Sequence, residues 1–391
     1  MEIEVAKRLQ QTEEYYFSKK LREIDEMKKN GAQVINLGIG SPDLPPHPEV
    51  IKTLQEQAAL PNTHGYQNYK GVPQLRNAMA DWYQRYYHVS LDPNTQILPL
   101  IGSKEGIVHI CMTYLQEGDV CLIPNPGYPA YASAVRVTGA TLLPYELKEE
   151  NHWLPDLEEL EKQDLAKVKM MWINYPHMPT GALANTSFFE DIIAFAKKHQ
   201  ILICHDNPYS FILNDHPESI LAIPGAMDVA IELNSLSKSS NMAGWRIGML
   251  IANERRIAEI LRFKSNMDSG TFLPLQLAAA KALSLDATWY AELNKEYAQR
   301  RTRVFEIMDI LNCSYSTNQV GLFVWAKIPN NYENAYALSD EILYNTHVFI
   351  TPGGIFGSAG DRYIRISLCA NQATLDLAIN KIKEAKQVST H

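Results

Sequence analysis

Lys238 is the residue whose setting most needs a chemical explanation. It lies in NSLSKSSNMAGWRIGML (234–250), a Ser-rich, Gly-containing stretch that follows an apolar run, with Arg246 eight residues further on. A lysine that acts as an imine-forming nucleophile must be unprotonated part of the time, which burial or cationic neighbours bring about. A surface lysine in a polar loop fits poorly, because strand-like runs flank the loop on both sides. Arg246 is suited to a second role, anchoring a phosphate. In ILICHDNPYSF (201–211) an apolar run delivers Asp206 and, three residues later, Tyr209. A buried carboxylate there needs a cation or hydrogen bonds. A protonated pyridine nitrogen would serve, and so would an ordinary turn that the Asp caps. IGSKEGIVHICMTYL (101–115) opens a helix with Gly-Ser-Lys. Free N–H groups and the helix dipole at such an end attract phosphate, although the same turn also reads as a plain cap. In DRYIRISL (361–368), Arg365 interrupts a strand-like run. Its planar fork suits a carboxylate, the alternative being an edge-strand arginine in solvent. Together the four segments offer a phosphate seat, a carboxylate for a ring nitrogen, an imine-forming lysine and a carboxylate clamp. One kind of cofactor uses that set.

The elements that must position these residues read as an α/β pattern. Residues 13–30 form a charged helix ending near Gly31, and a Pro-rich turn follows at 41–48. Helical spacing at 72–87 and 186–199 alternates with apolar runs at 119–123, 168–174, 201–205 and 228–234. That alternation predicts a mostly parallel sheet with helices on both faces, and ligands bind such sheets beyond the carboxyl ends of the strands. From about residue 275 the pattern shifts to long helices, strands at 321–327 and 362–368, and a terminal helix. The expected division is an N-terminal arm with part of the small domain (1–45), a large cofactor-binding domain (46–274) and a small α+β domain (275–391). The arm suits either domain equally.

Bulk properties exclude several functions. The 391 residues carry a formal charge of −8, which argues against nucleic-acid and membrane-surface binding. The N-terminus lacks the apolar core of a signal peptide, and no apolar run approaches a bilayer span. Five widely spaced cysteines without a C-x-x-C pair imply neither a disulfide framework nor a zinc site. No metal is expected, and a reducing cytoplasm is the default location.

These segments resemble the fold-type-I aminotransferases of class I/II, from about Tyr15 to the C-terminus and in the family's motif order. The resemblance implies pyridoxal 5′-phosphate held by Lys238 as an imine, with Lys238 also moving the substrate proton. It implies that Asp206 keeps the pyridine nitrogen protonated and that Tyr209 hydrogen-bonds the phenolic oxygen. It assigns the phosphate to the Ser103 and Lys104 amides, Ser235, Ser237 and Arg246, with Asn174 also at the cofactor. Tyr128 of PNPGYPAY (124–131) matches the ring-stacking aromatic. Tyr66 of GYQNYKG (65–71) matches a tyrosine that reaches the phosphate from a partner subunit in a homodimer. Arg365 would take the substrate α-carboxylate, beside the Gly40 amide of INLGIGSPD (35–43). Within the family the LL-diaminopimelate aminotransferase group looks most similar, on residues 16–45, LPLIGSKEGI (98–107), NPGYPAY (125–131) and KSNMDSG (264–270). That likeness adds Tyr15 and Asn266 to the substrate site, Asn266 from the partner. Both also read as a helix-face tyrosine and a cap.

One position departs from the family. Its N-P-T-G asparagine donates to the phenolic oxygen, whereas NYPHMPTGA (174–182) has Met178 there, and methionine cannot donate. The neighbouring His177 is a substitute donor only if its ring turns inward. The expected activity is transfer of an amino group between an amino acid and a 2-oxo acid. The alternatives are a carbon–sulfur β-lyase working through the same cofactor and a non-catalytic cofactor-binding regulatory module.

Overall fold

A computed structural model describes residues 3–6, 8 and 16–388. Seven strands form the main sheet: β2 (Ile97–Leu100), β3 (Val120–Asn125), β4 (Thr141–Glu146), β5 (Val168–Asn174), β6 (Leu202–Asp206), β7 (Ala230–Ser235) and β8 (Gly248–Ile251). Their order is β2-β8-β7-β6-β5-β3-β4. Pairings within β4-β3-β5-β6-β7 are parallel, and β8 runs antiparallel to both β7 and β2.

Residue choice explains the layering. In β5 every residue but Lys169 is buried, as a strand covered on both faces requires. The covering helix Thr186–His199 starts where the Asn185 side chain accepts from the Phe188 amide, a cap that satisfies one orphan donor. Its buried stripe is Phe188, Phe189, Ile192, Ile193, Phe195 and Ala196, the face that helical periodicity directs onto a sheet. The two outermost strands each contain a proline, Pro99 in β2 and Pro144 in β4. Proline cannot donate to a ladder and is tolerated at sheet edges.

A second sheet has order β11-β12-β9, from β9 (Phe323–Lys327), β11 (Thr351–Pro352) and β12 (Tyr363–Ser367), all antiparallel. Helices Ala287–Ile310, Ala335–Thr346 and Gln372–Val388 accompany it. The N-terminal arm sits with these elements. β1 (Ile35–Asn36) pairs in parallel with β10 (Val348–Phe349). Ile24 and Val34 pack with Leu343 and Phe349, and Lys20 pairs with Asp340 at 3.0 Å. The fully buried Arg300 then grips Asp43 with two bonds of 2.6 and 3.1 Å. This fork-on-carboxylate pair pins segment 38–43 over the carboxyl ends of β5, β6 and β7. No helix among the described residues is long and apolar enough to cross a membrane.

Candidate active site

Parallel register brings the functional residues together. Asn174 ends β5, Asp206 ends β6 beside it, and Ser235 ends β7. Immediately beyond, the short helix Leu236–Ser239 presents Lys238. These residues line one cavity of about 540 Å³, together with Gly40, Ser103, Lys104, Tyr128, Met178, Tyr209, Ser237, Arg246 and Arg365.

Each group carries the electrostatics its place imposes. Lys238 donates from Nζ to the Gly40 carbonyl at 2.6 Å. Burial, aided by the nearby Arg365 and Arg246 cations, holds its ammonium below the ordinary lysine range, as a nucleophilic amine requires. Burial pushes Asp206 up to about 6, against a hydrogen bond from Tyr131 that favours the ionised form. The Tyr131 hydroxyl donates to Oδ2 at 2.8 Å, and Asn174 donates to the Asp206 carbonyl at 2.7 Å. Oδ1 is buried with no protein partner. Burial raises the Tyr209 phenol far above its usual range, so Tyr209 stays a neutral donor.

At one end of the cavity the helix Ser103–Tyr114 begins. Gly102 has φ +82, and a β-carbon there would collide with the Arg246 guanidinium. A β-carbon on Gly248 would come within 2.7 Å of the Ser103 amide nitrogen. Only glycine allows this approach, so helix N-terminus and guanidinium form one small cationic cradle. At the other end Arg365 is buried, its guanidinium 3.9 Å from the Phe323 ring centre and 4.6 Å from that of Phe356. It donates to the Gly38 carbonyl at 2.7 Å and to the Met178 sulfur at 3.3 Å. Burial lowers it to about 10, so it remains charged at neutral pH.

Not every expected residue converges. Tyr66 is 94% exposed and lies in a separate hollow with His64, Ser269 and Phe272. Asn266 is exposed and donates to the Arg262 carbonyl. Neither reaches the cavity of its own chain. Tyr15 lies outside the described residues. His177 turns away, its Nδ1 paired with Thr180 Oγ1 at 2.8 Å, and burial lowers its pKa to about 3. It does not replace the missing amide donor. Tyr131 and the two phenylalanines that clamp Arg365 escaped the sequence reading. Tyr131 stands in the first turn of the helix Pro129–Thr138, three residues after its cap Tyr128.

The cavity fits a phosphorylated pyridine aldehyde. An anion seat, an unpartnered buried carboxylate oxygen and a deprotonation-prone lysine occupy one space. The sequence profile of aminotransferase class I and II matches residues 32–382. The chain belongs to the class I and II aminotransferases. It is 41% identical over 389 residues to the LL-diaminopimelate aminotransferase of Dehalococcoides mccartyi strain CBDB1, covering 99% of this chain and 100% of that one. The corresponding enzyme of Oleidesulfovibrio alaskensis is 40% identical over 381 residues, covering 97% and 98%. The apo structure of BacF from Bacillus subtilis superposes with a TM-score of 0.94 at 38% identity, covering 98% of each chain. As a member of this family the protein is an aminotransferase that uses pyridoxal 5′-phosphate and converts amino acids and 2-oxo acids. Its fold is that of the family, a mostly parallel sheet layered with helices.

Proposed function

We propose that Lys238, Asp206 and Arg365 divide the transamination between them, in a homodimer whose cavities are completed across the interface. The observation that carries this reading is the orphaned Asp206 Oδ1, buried in the cavity that also holds the Lys238 amine. Bound pyridoxal phosphate supplies a ring that withdraws electrons from the substrate Cα. Asp206, through the unpartnered Oδ1, would hold a proton on the ring nitrogen. Ser103, Lys104, Ser235, Ser237 and Arg246 hold the phosphate, with Asn174 beside the ring. Tyr128 would lie against the ring and Tyr209 would donate to the phenolic oxygen. Arg365 would hold the α-carboxylate beside the Gly40 amide. The Lys238 amine would be the group that takes up and returns the substrate's Cα proton.

The names of the relatives place LL-diaminopimelate first among donors to try. Stopped-flow mixing of the loaded enzyme with LL-diaminopimelate, glutamate, aspartate, methionine and aromatic amino acids tests the reading. At least one donor should bleach the visible band, and regeneration by a 2-oxo acid should follow. A band that no donor bleaches would refute it. The five buried, free cysteines suit a reducing cytoplasm.

The dimer rests on surface chemistry. Tyr66 and Tyr69 on one loop, and Met267 and Phe272 on the next, are all exposed, an apolar grouping of the kind a second copy covers. Tyr66 and Asn266 are then contributed to the partner's cavity. Mixing an inactive Tyr66→Ala protein with an inactive Lys238→Ala protein should restore part of the activity, because hybrids contain one intact site. No recovery despite demonstrated subunit exchange would count against shared sites.

Met178 sets a further expectation. An amide at this position can donate to the phenolic oxygen, whereas sulfur cannot. Added donation withdraws electron density and loosens the proton on the neighbouring nitrogen. Met178→Asn should therefore lower the pKa of the visible-band transition by about half to two units, the equivalent of a partly realised hydrogen bond to a charged group. A spectrophotometric titration of both proteins checks it, and an unchanged or raised pKa would contradict it.

A further inference from the structure

Behind the phosphate seat lies a cluster of charged side chains that the proposed reaction does not use. Glu105 stands in the first turn of the helix Ser103–Tyr114. Its Oε2 reaches back to accept from the Ile101 amide at 2.6 Å, bridging the turn that carries Gly102, Ser103 and Lys104. Its Oε1 meets His109 Nε2 at 2.7 Å. A carboxylate oxygen of Asp268 lies within 4.8 Å of this carboxylate; Asp268 Oδ1 accepts from the Gly270 amide at 3.0 Å and its Oδ2 pairs with Lys264 at 2.5 Å. The side chain of Lys264 is 2% exposed. Glu105, His109 and Asp268 lie within 4.8 Å of one another, an arrangement that would suit a cation. The Lys264 ammonium already supplies that positive charge.

Two features make this more than a local ion pair. A carboxylate one turn from a phosphate seat repels the phosphate, so its presence needs a compensating cation and a structural return. The return is the hold on Ile101, since a backbone amide bound from the side fixes the direction of those following it. The Asp268 branch also anchors the loop 266–270, where Gly270 packs so closely that a β-carbon would come within 2.6 Å of the Gln67 carbonyl. The cluster thus connects the phosphate turn to the two exposed loops that carry Asn266 and Tyr66.

We propose that Glu105 is a positioning residue for the cofactor phosphate, holding the Ile101–Lys104 turn, with the Lys264–Asp268 pair as its neutralising tether. This rests on the reading that the turn is the phosphate seat. The test titrates the cofactor-free protein with pyridoxal 5′-phosphate and with pyridoxal, which lacks the phosphate, and reads the ratio of the two dissociation constants. In Glu105→Ala that ratio should shrink by about tenfold or more, the loss expected when a charged hydrogen bond is removed. Pyridoxal affinity itself should stay within about twofold, on the same reasoning. Glu105→Gln keeps an acceptor for the Ile101 amide and should recover most of the ratio. A ratio unchanged in Glu105→Ala, or equal losses for both ligands, overturns the proposal. Should Glu105→Ala fail to fold, Asp268→Ala is read in the same way and must shrink the ratio in the same direction. If the wild-type protein itself binds both ligands equally, the seat lies elsewhere and the underlying reading fails instead.

Discussion

Replacing Lys238 with alanine is expected to lower turnover by about 10⁴-fold, the upper range of what a positioned proton-transfer group contributes, while pyridoxal phosphate stays bound. On the proposed reading the two tasks are separate. Binding would fall to the cradle of Ser103, Lys104 and Arg246, to the Asp206 Oδ1 that has no protein partner, and to Tyr128 in the same cavity. None of these depends on the lysine. Proton transfer depends on an amine, and no other described lysine approaches the Asp206 side of the cavity. The nearest candidate by sequence, Lys104, lies at the phosphate end on the exposed start of its helix. The Lys238 amine is also the one that burial and two guanidinium groups shift toward the unprotonated form. Steady-state assays together with mass spectrometry of the retained cofactor would check both halves. Near-normal transamination by Lys238→Ala would remove the basis of the proposed mechanism. Loss of the cofactor along with activity would mean that the covalent bond dominates binding.

The parts of this site legible in the sequence are those tied to strand ends. Asp206 and Lys238 each follow a run of apolar residues that only a doubly covered strand explains, so their position was implied by the pattern around them. The helix start at Ser103 was legible for a similar reason, because Gly-Ser-Lys before a helix exposes amides whatever the tertiary structure does, though the same turn also reads as a plain cap. Contacts made by packing were not legible. Nothing in the spacing of Phe323 and Phe356 shows that their rings would sandwich Arg365, since they come from separate strand and turn segments. The donation from Tyr131 to Asp206 spans 75 residues. Strands β2 and β4, at the two ends of the main sheet, carry Pro99 and Pro144 and so lack the unbroken apolar run that marks the strands between them. The arm suited either half of the chain on sequence alone. Its pairing of β1 with β10 depends on residues more than 300 positions apart, which local periodicity does not encode.

Replacing Arg365 with alanine should reduce kcat/KM for the amino acid and for the 2-oxo acid together. The two substrates share only the α-carboxylate and carbon skeleton, so a group that reads the carboxylate must affect both. Truncating one partner of a desolvated charge pair costs about 2–5 kcal/mol, so the loss should be roughly thirtyfold to several-thousandfold. The upper part of that range is expected, because the guanidinium is already oriented before substrate arrives. Phe323 and Phe356 cover it, Gly38 takes one donor and Met178 another, so little rotamer entropy is left to lose on binding. Although burial lowers its pKa to about 10, it presents a full charge at neutral pH. Arg365→Lys should recover little of the loss, because an ammonium lacks the fork that bonds two carboxylate oxygens at once. Kinetics with each substrate varied in turn would decide the matter, with cofactor absorbance confirming an intact site. If only one of the two substrates suffers, Arg365 reads a side chain and the α-carboxylate is held elsewhere in the cavity.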